Sequence, residues 1–315
     1  MYPVVFLHAA DRALSVELAA LRRHGLQVRV VAPGDRGGLR AALTDAVLLW
    51  QVPGGTAVTA DLLAEAPRLR LVQALGPGAA AIDLGAARAR GIAVCVAPGA
   101  DTVATAEMVL ALIFACLRRL PELDRASRTG LWPPDHGPAF GEVAGRTIGL
   151  VGYGPVPARL APGLKALGAA AVVYWHDERQ PGADAIFVPL RELFETSDVV
   201  SLHLPLTAAT EQLVDATALG LMQPGSVLVN TAHAGLVDEA ALVDALASGH
   251  LGAAALDVRV PPPRQPDHPL LGLGNVVLSP GLAGCTPEAL RRALTIAVEN
   301  AGRLRDGRPL LHRIA

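Results

Sequence analysis

The sequence predicts a two-domain α/β protein with parallel sheets, on three observations. Its 315 residues exceed one typical core and suggest about two domains. Short apolar runs alternate with helix-like segments along most of the chain, the pattern of parallel sheets covered on both faces. One strand runs directly into a glycine turn that opens a helix, Thr147-Ile-Gly-Leu-Val-Gly-Tyr-Gly154.

The elements follow in order. Residues 4–7 read as a strand and 13–23 as a helix stopped at Gly25. Residues 28–31 and 46–50 read as strands. Thr59 caps a helix that ends before Pro67, and 69–74 is a strand. The first unit ends near 94–96, followed by Pro98-Gly99. A long apolar helix is expected over 102–120, with Glu107 inside and Arg118 and Arg119 suited to its C-terminus. Apolar on most sides, it must be buried in a core or in a subunit interface. A Pro/Gly-rich connector spans 130–145. A second alternating unit runs from Thr147 to about Pro280, and 287–304 reads as a helix.

Composition excludes several classes. The chain is 51% hydrophobic with formal charge -2, and its pI is near 6.5. That balance makes no electrostatic case for nucleic acid or a membrane surface. The N-terminal residues lack a charged region and a cleavage site, so no signal peptide is expected. The most apolar stretch, 108–117, is too short to cross a bilayer. The 3 cysteines, Cys95, Cys116 and Cys285, show no metal-ligand spacing. No metal is expected, and the cysteine usage fits a reducing cytoplasm.

The glycine turn is placed as a dinucleotide-binding turn must be. Gly152 permits the tight turn. Gly154 lets the backbone approach a pyrophosphate at the helix N-terminus, where Pro155 and Val156 begin the helix. Pro157 stands where a third glycine belongs. Pro155 and Pro157 are tolerated in a first helical turn, and Pro162 is expected to distort the helix. An acidic residue should follow the next strand, 171–175, and meet the adenosine ribose. Asp177 is the candidate. Arg179 would instead meet a 2′-phosphate, so NAD is expected with NADP open.

From Gly145 onward the chain resembles the D-isomer-specific 2-hydroxyacid dehydrogenase family. The matching runs are 197–207 (Ser-Asp-Val-Val-Ser-Leu-His-Leu-Pro-Leu-Thr), 222–232, 235–246, 255–258, 267–271 and 275–280. The first domain matches more loosely, at Gly76-Pro-Gly78, Ile82-Asp-Leu, Gly91-Ile-Ala-Val, Pro98-Gly99 and Ala106-Glu107. The resemblance implies a Rossmann-type dinucleotide-binding domain, 100–285, plus a flavodoxin-like substrate domain, 1–99 with 286–315. A small-molecule substrate would bind in the cleft, with Gly76 and Gly78 in its carboxylate loop. Cofactor contacts are implied at Thr105, Gly152, Gly154, His203, Pro205, Thr231 and Asp257, the last toward the nicotinamide carboxamide. The family is usually dimeric, which implies a homodimer through the helix after Thr102.

The family's catalytic groups are an Arg that holds the carboxylate, a His that moves the hydroxyl proton and a Glu that sets the His. Here His233 stands at the Arg, Pro262 at the Glu and Gly281 at the His. Imidazole lacks the guanidinium fork, and proline and glycine transfer no protons. Val96 replaces a common Asn and Met108 a frequent His. Chemistry rebuilt from other residues would fall first to His233, an imidazole able to serve as acid or base near neutrality. Arg259, Cys285, Gln51 and Trp50 are further candidates. The expectation is therefore an NAD(P)-dependent oxidoreductase with non-standard active-site chemistry, or else a catalytically inactive dinucleotide-binding sensor or partner protein.

Overall fold

The computed structural model describes residues 2–7, 21–32, 34–130, 141–258 and 265–315. The chain divides into two compact units, one running up to Asp101 and joined by Cys285–Ala315, the other Thr102–Gly284. Each has its own parallel sheet.

The first unit holds β1 (Tyr2–Leu7), β2 (Leu26–Val31), β3 (Leu48–Gln51), β4 (Leu71–Ala74) and β5 (Ala93–Cys95) in the order β2-β1-β3-β4-β5. This is the flavodoxin-like doubly wound order. Helices α1 (Arg36–Leu43), α2 (Ala60–Ala64) and α3 (Leu84–Ala89) are each started by a side chain that accepts a backbone amide. Asp35 takes Gly38, Thr59 takes Leu62 and Asp83 takes Ala86. These helices cover Leu49, Val72 and Val94. The opposite face, with Phe6, Trp50 and Leu71, packs on Ala293, Leu294 and Ala297 of the C-terminal helix Pro287–Arg305. The expected helix over 13–23 lies mostly outside the described residues.

Trp50 corrects one expectation. Strand alternation turns it into the helix-covered face, where it is fully buried against Phe6, the rings edge-on with centroids 6.0 Å apart. It is a core residue and cannot face a substrate.

The second unit holds β6 (Thr147–Val151), β7 (Ala171–Trp175), β8 (Ile186–Phe187), β9 (Val199–Leu202), β10 (Val227–Asn230), β11 (Ala253–Asp257) and β12 (Val276–Ser279), ordered β12-β11-β10-β9-β6-β7-β8. Its helices are α4 (Thr102–Leu117), α5 (Leu120–Arg128), α6 (Pro155–Ala166), α7 (Leu190–Thr196), α8 (Ala216–Leu221), α9 (Glu239–Ala247) and α10 (Pro269–Gly272). One face of the sheet packs on α4 and α6. The other packs on α7, α8 and α9. The two halves of the sheet diverge between β6 and β9, which makes the crevice at their C-terminal ends the favoured ligand position of a Rossmann-type sheet.

One local expectation is revised. The helix expected over 102–120 ends at Leu117. Arg119 takes a left-handed conformation (φ 49) and pairs with Glu122, and Pro121 sits in the first turn of α5. Arg118 and Arg119 thus lie beyond the helix end. Pro162, expected to distort its helix, lies inside α6, which runs on past it. Its missing N–H costs one bond to the carbonyl of Ala158.

Candidate functional site

The sequence places the glycine turn at the end of the central strand β6. Gly152 has φ 97, and its amide donates to the carbonyl of Trp175 at 2.8 Å. A Cβ there would lie 2.7 Å from the backbone oxygen of His203 and 2.9 Å from Leu204 Cδ2. Both conformation and crowding therefore require glycine. Gly154 is different. Its backbone is extended, it is the N-cap of α6 and no side chain caps the helix. An added Cβ would meet nothing within 4 Å. The space over this helix terminus is open, as a phosphate cradle needs.

The helix nevertheless offers few donors. Pro155, Val156 and Pro157 fill its first three positions, and prolines have no N–H. Ala158 already donates to the carbonyl of Gly154 at 3.1 Å. Val156 supplies the one free amide of the first turn, beside that of Gly154. Pro157 is buried and fills the helix–strand contact that a third glycine would make close.

The next loop, 176–185, carries the exposed Asp177 and Arg179. Two tyrosines hold it. Tyr174 Oη accepts from the amide of Gln180 at 2.8 Å, and Tyr153 Oη accepts from that of Asp184 at 3.0 Å. Their rings pack with centroids 4.3 Å apart. The sequence reading missed this clamp. The available sign was that two of the chain's 3 tyrosines lie at the turn and on the following strand.

Across the crevice, His203 follows β9. Its amide donates to Val151 at 2.8 Å, while its Nε2 is buried with no partner. Burial pushes its pKa down to about 3. The ring is neutral and leaves an unpaired polar atom beside the glycine turn, the kind of atom a bound ligand satisfies. Pro205 is exposed, its carbonyl accepting from Thr210 Oγ1 at 2.7 Å.

The β10 end is organised by buried Asn230, which was not singled out from the sequence. Its Oδ1 accepts from the amide of Ala232 at 3.0 Å and its Nδ2 donates to the carbonyl of His233 at 2.8 Å. Thr231 is half-buried within this turn and His233 is exposed at its end.

On neighbouring β11, Asp257 is 3% exposed. Its Oδ1 accepts from the amides of Gly281 (3.0 Å) and Leu282 (2.9 Å), and its Oδ2 from that of Ala283 (2.6 Å). Most of its acceptor capacity is spent on the loop after β12. Gly281 itself adopts φ 76, a left-handed conformation. Arg259 and Pro262 lie outside the described residues.

In the first unit, Gly76 and Gly78 flank Pro77 at the end of β4. Gly76 is buried, its carbonyl accepts from Ala97 at 2.7 Å, and a Cβ on it would lie 2.5 Å from Pro53 Cγ. Gly78 is exposed. Gln51 is 3% exposed, and its Nε2 is buried without a partner. Val96 is buried; Thr105 and Met108 are half-buried on α4. Burial raises the thiols of Cys95 to about 11 and Cys116 to about 12, while Cys285 is exposed. Among the described residues, no group of three His, Cys, Asp or Glu can hold a metal, and no helix is long and apolar enough to cross a membrane.

Residues 110–283 match the model of the D-isomer specific 2-hydroxyacid dehydrogenase NAD binding domain. A D-3-phosphoglycerate dehydrogenase of Mycobacterium bovis is 38% identical over 301 residues, 95% of this chain and 56% of that protein. The chain thus spans about half the length of the first curated relatives it matches. A glyoxylate reductase of Thermofilum pendens is 36% identical over 84% of this chain and 77% of its own. Among solved structures, the TT0316 protein of Thermus thermophilus superposes with a TM-score of 0.87 at 36% identity, covering 99% of this chain and 100% of that one.

Proposed function

The chain belongs to the D-isomer specific 2-hydroxyacid dehydrogenase family, and from that premise we propose that it is an NAD-dependent oxidoreductase of a small molecule with non-standard acid–base groups. NAD, when bound, supplies hydride transfer. We assign its binding to the Thr102–Gly284 unit, at the open terminus of α6, with Gly152, Gly154, Val156, His203, Thr231 and Asp257 around it. Substrate handling falls to the other unit, at Gly76 and Gly78. Asp177 is the candidate ribose partner, and Arg179 on the same loop keeps NADP in play.

The observation that carries the altered chemistry is at the ends of β10 and β12. The family's Arg position holds His233, exposed and fixed through its backbone by Asn230. The family's His position holds Gly281, which has no side chain to move a proton. His233 is the remaining side chain at these two positions with a nitrogen that can give or take a proton. The test is consumption of NADH and NADPH with a panel of carbonyl and imine compounds. Turnover that drops in His233→Ala supports the proposal. Cofactor binding with no turnover across the panel removes it.

That last outcome is the second reading, a dinucleotide-binding sensor or partner protein. Gly281 favours it, because a residue with no side chain stands at the family's proton-moving His position. A homodimer through α4 is proposed as well. Leu110, Ala111 and Phe114 lie on its less buried side, at helical spacing. Phe114→Asp should shift the solution mass to that of a monomer. A cytoplasmic location is proposed from the unbridged, buried thiols.

A further inference from the structure

The proposed function leaves the substrate's chemical class open, and the turn at the end of β4 bears on it. An anion is held by consecutive backbone amides or by a cationic fork. The turn at the end of β4 has its central amide removed, because Pro77 has no N–H. The backbone there is not free to rearrange around the loss. Gly76 sits against Pro53, its carbonyl is taken by Ala97, and Leu75 donates to the carbonyl of Gln51 at 2.8 Å. Of the described side chains at the ends of β1, β3 and β4, Leu7, Gln51, Val52, Pro53 and Leu75, none is a cation; His312 and Arg313 lie beside the end of β5, at Val96 and Cys95.

One group at the same edge needs a partner. Gln51 ends β3 beside that turn. Its side chain is buried, and its Nε2 donates to nothing. An amide donor in a dry setting is satisfied by an uncharged oxygen as well as by an anion, without stripping water from a full charge. We propose that the substrate is a neutral carbonyl compound, a ketone, aldehyde or 2-keto amide, and that a free 2-keto acid is discriminated against. This inference rests on the proposed function and narrows its substrate.

Matched acid and amide pairs test it: pyruvate with pyruvamide, and the pairs bearing isobutyl and benzyl side chains. They are nearly isosteric and differ in charge. Calorimetric titration of the whole protein, with and without NADH, gives affinities that need no turnover. The amide should bind at least roughly tenfold more tightly than the acid in one or more pairs. Pro77→Ala restores an amide and should tighten the acid by about tenfold while moving its amide partner by less than about threefold. Gln51→Leu should weaken the amide about tenfold. An acid bound as tightly as its amide in every pair, or no amide bound at all, overturns the inference. Amides that bind but are never reduced would refute the oxidoreductase reading and leave the ligand class standing.

Discussion

Replacing Pro155 by alanine should tighten NADH binding. Pro155 is exposed at the first position of α6, so its removal opens no cavity. Alanine returns one N–H to a helix terminus where Val156 offers the one free amide of the first turn. A hydrogen bond to a charged acceptor contributes about 1.5–3 kcal/mol, and the solvent-exposed setting favours the low end. That corresponds to roughly a tenfold lower Kd. The cost lies in the unfolded chain, which gains freedom worth about 0.4–1 kcal/mol. A unit of this size should lose a few degrees of Tm at most, about 2–4 °C per kcal/mol. Calorimetric titration of both proteins with NADH measures the gain. Adenosine, which has no phosphate, is the control and should bind both equally. An unchanged Kd for NADH, or an equal gain for adenosine, would refute the argument that missing amides limit the grip on pyrophosphate.

Three further outcomes are expected. Gly281→His should fail to restore reduction of a 2-keto acid and should destabilise the protein by about 1–2 kcal/mol, because a β-carbon is forced into the left-handed region; recovered activity at unchanged Tm would show the loop reading to be wrong. Gly152→Ala should cost more than about 2 kcal/mol and abolish NADH binding, since its Cβ would press on the backbone of His203 at 2.7 Å; a variant with wild-type denaturation midpoint and affinity contradicts this. The third outcome concerns pH. His203 is held near 3 in the folded protein against an ordinary 6.5, so the unfolded chain takes up its proton first. Stability should be full above about 6.5 and fall as pH drops toward 3, by about 1–2 kcal/mol at pH 5. His203→Gln should flatten that part of the urea-denaturation pH profile, and an equally steep profile would show that other groups cause it.

Strands β1 to β7 were legible because each is a short apolar run between turn residues, and β7 has the bounds its sequence suggests. Helices α1 and α3 were not, because RGGLRAAL and LGAARA carry too few large apolar residues to show a period. Their N-terminal aspartates, Asp35 and Asp83, were the readable sign. The end of α4 was misplaced because an arginine in a left-handed conformation has no composition to announce it. At the site, the glycine turn, His233 and Gly281 were visible in the sequence. The bonds from Asp257 to Gly281, Leu282 and Ala283 were not, since they join strand ends 24 to 26 residues apart. Asn230 was hidden for the opposite reason. Its partners lie only two and three residues on, but whether an Asn folds back on its own turn depends on where the strand stops.

Prolines 77, 155 and 157 make the same physical change in two unrelated turns. Each removes an amide donor and leaves the turn's shape intact. The glycines that shape those turns are still required, Gly76 by Pro53 and Gly152 by the backbone of His203. Turns of this shape with few amide donors suit a ligand with less negative charge to hold, or one held more loosely. The Pro155→Ala and Pro77→Ala variants separate these cases. A tightened dinucleotide with an unchanged acid-to-amide preference would place the demand on cofactor exchange. A changed preference with the same cofactor affinity would place it on the substrate.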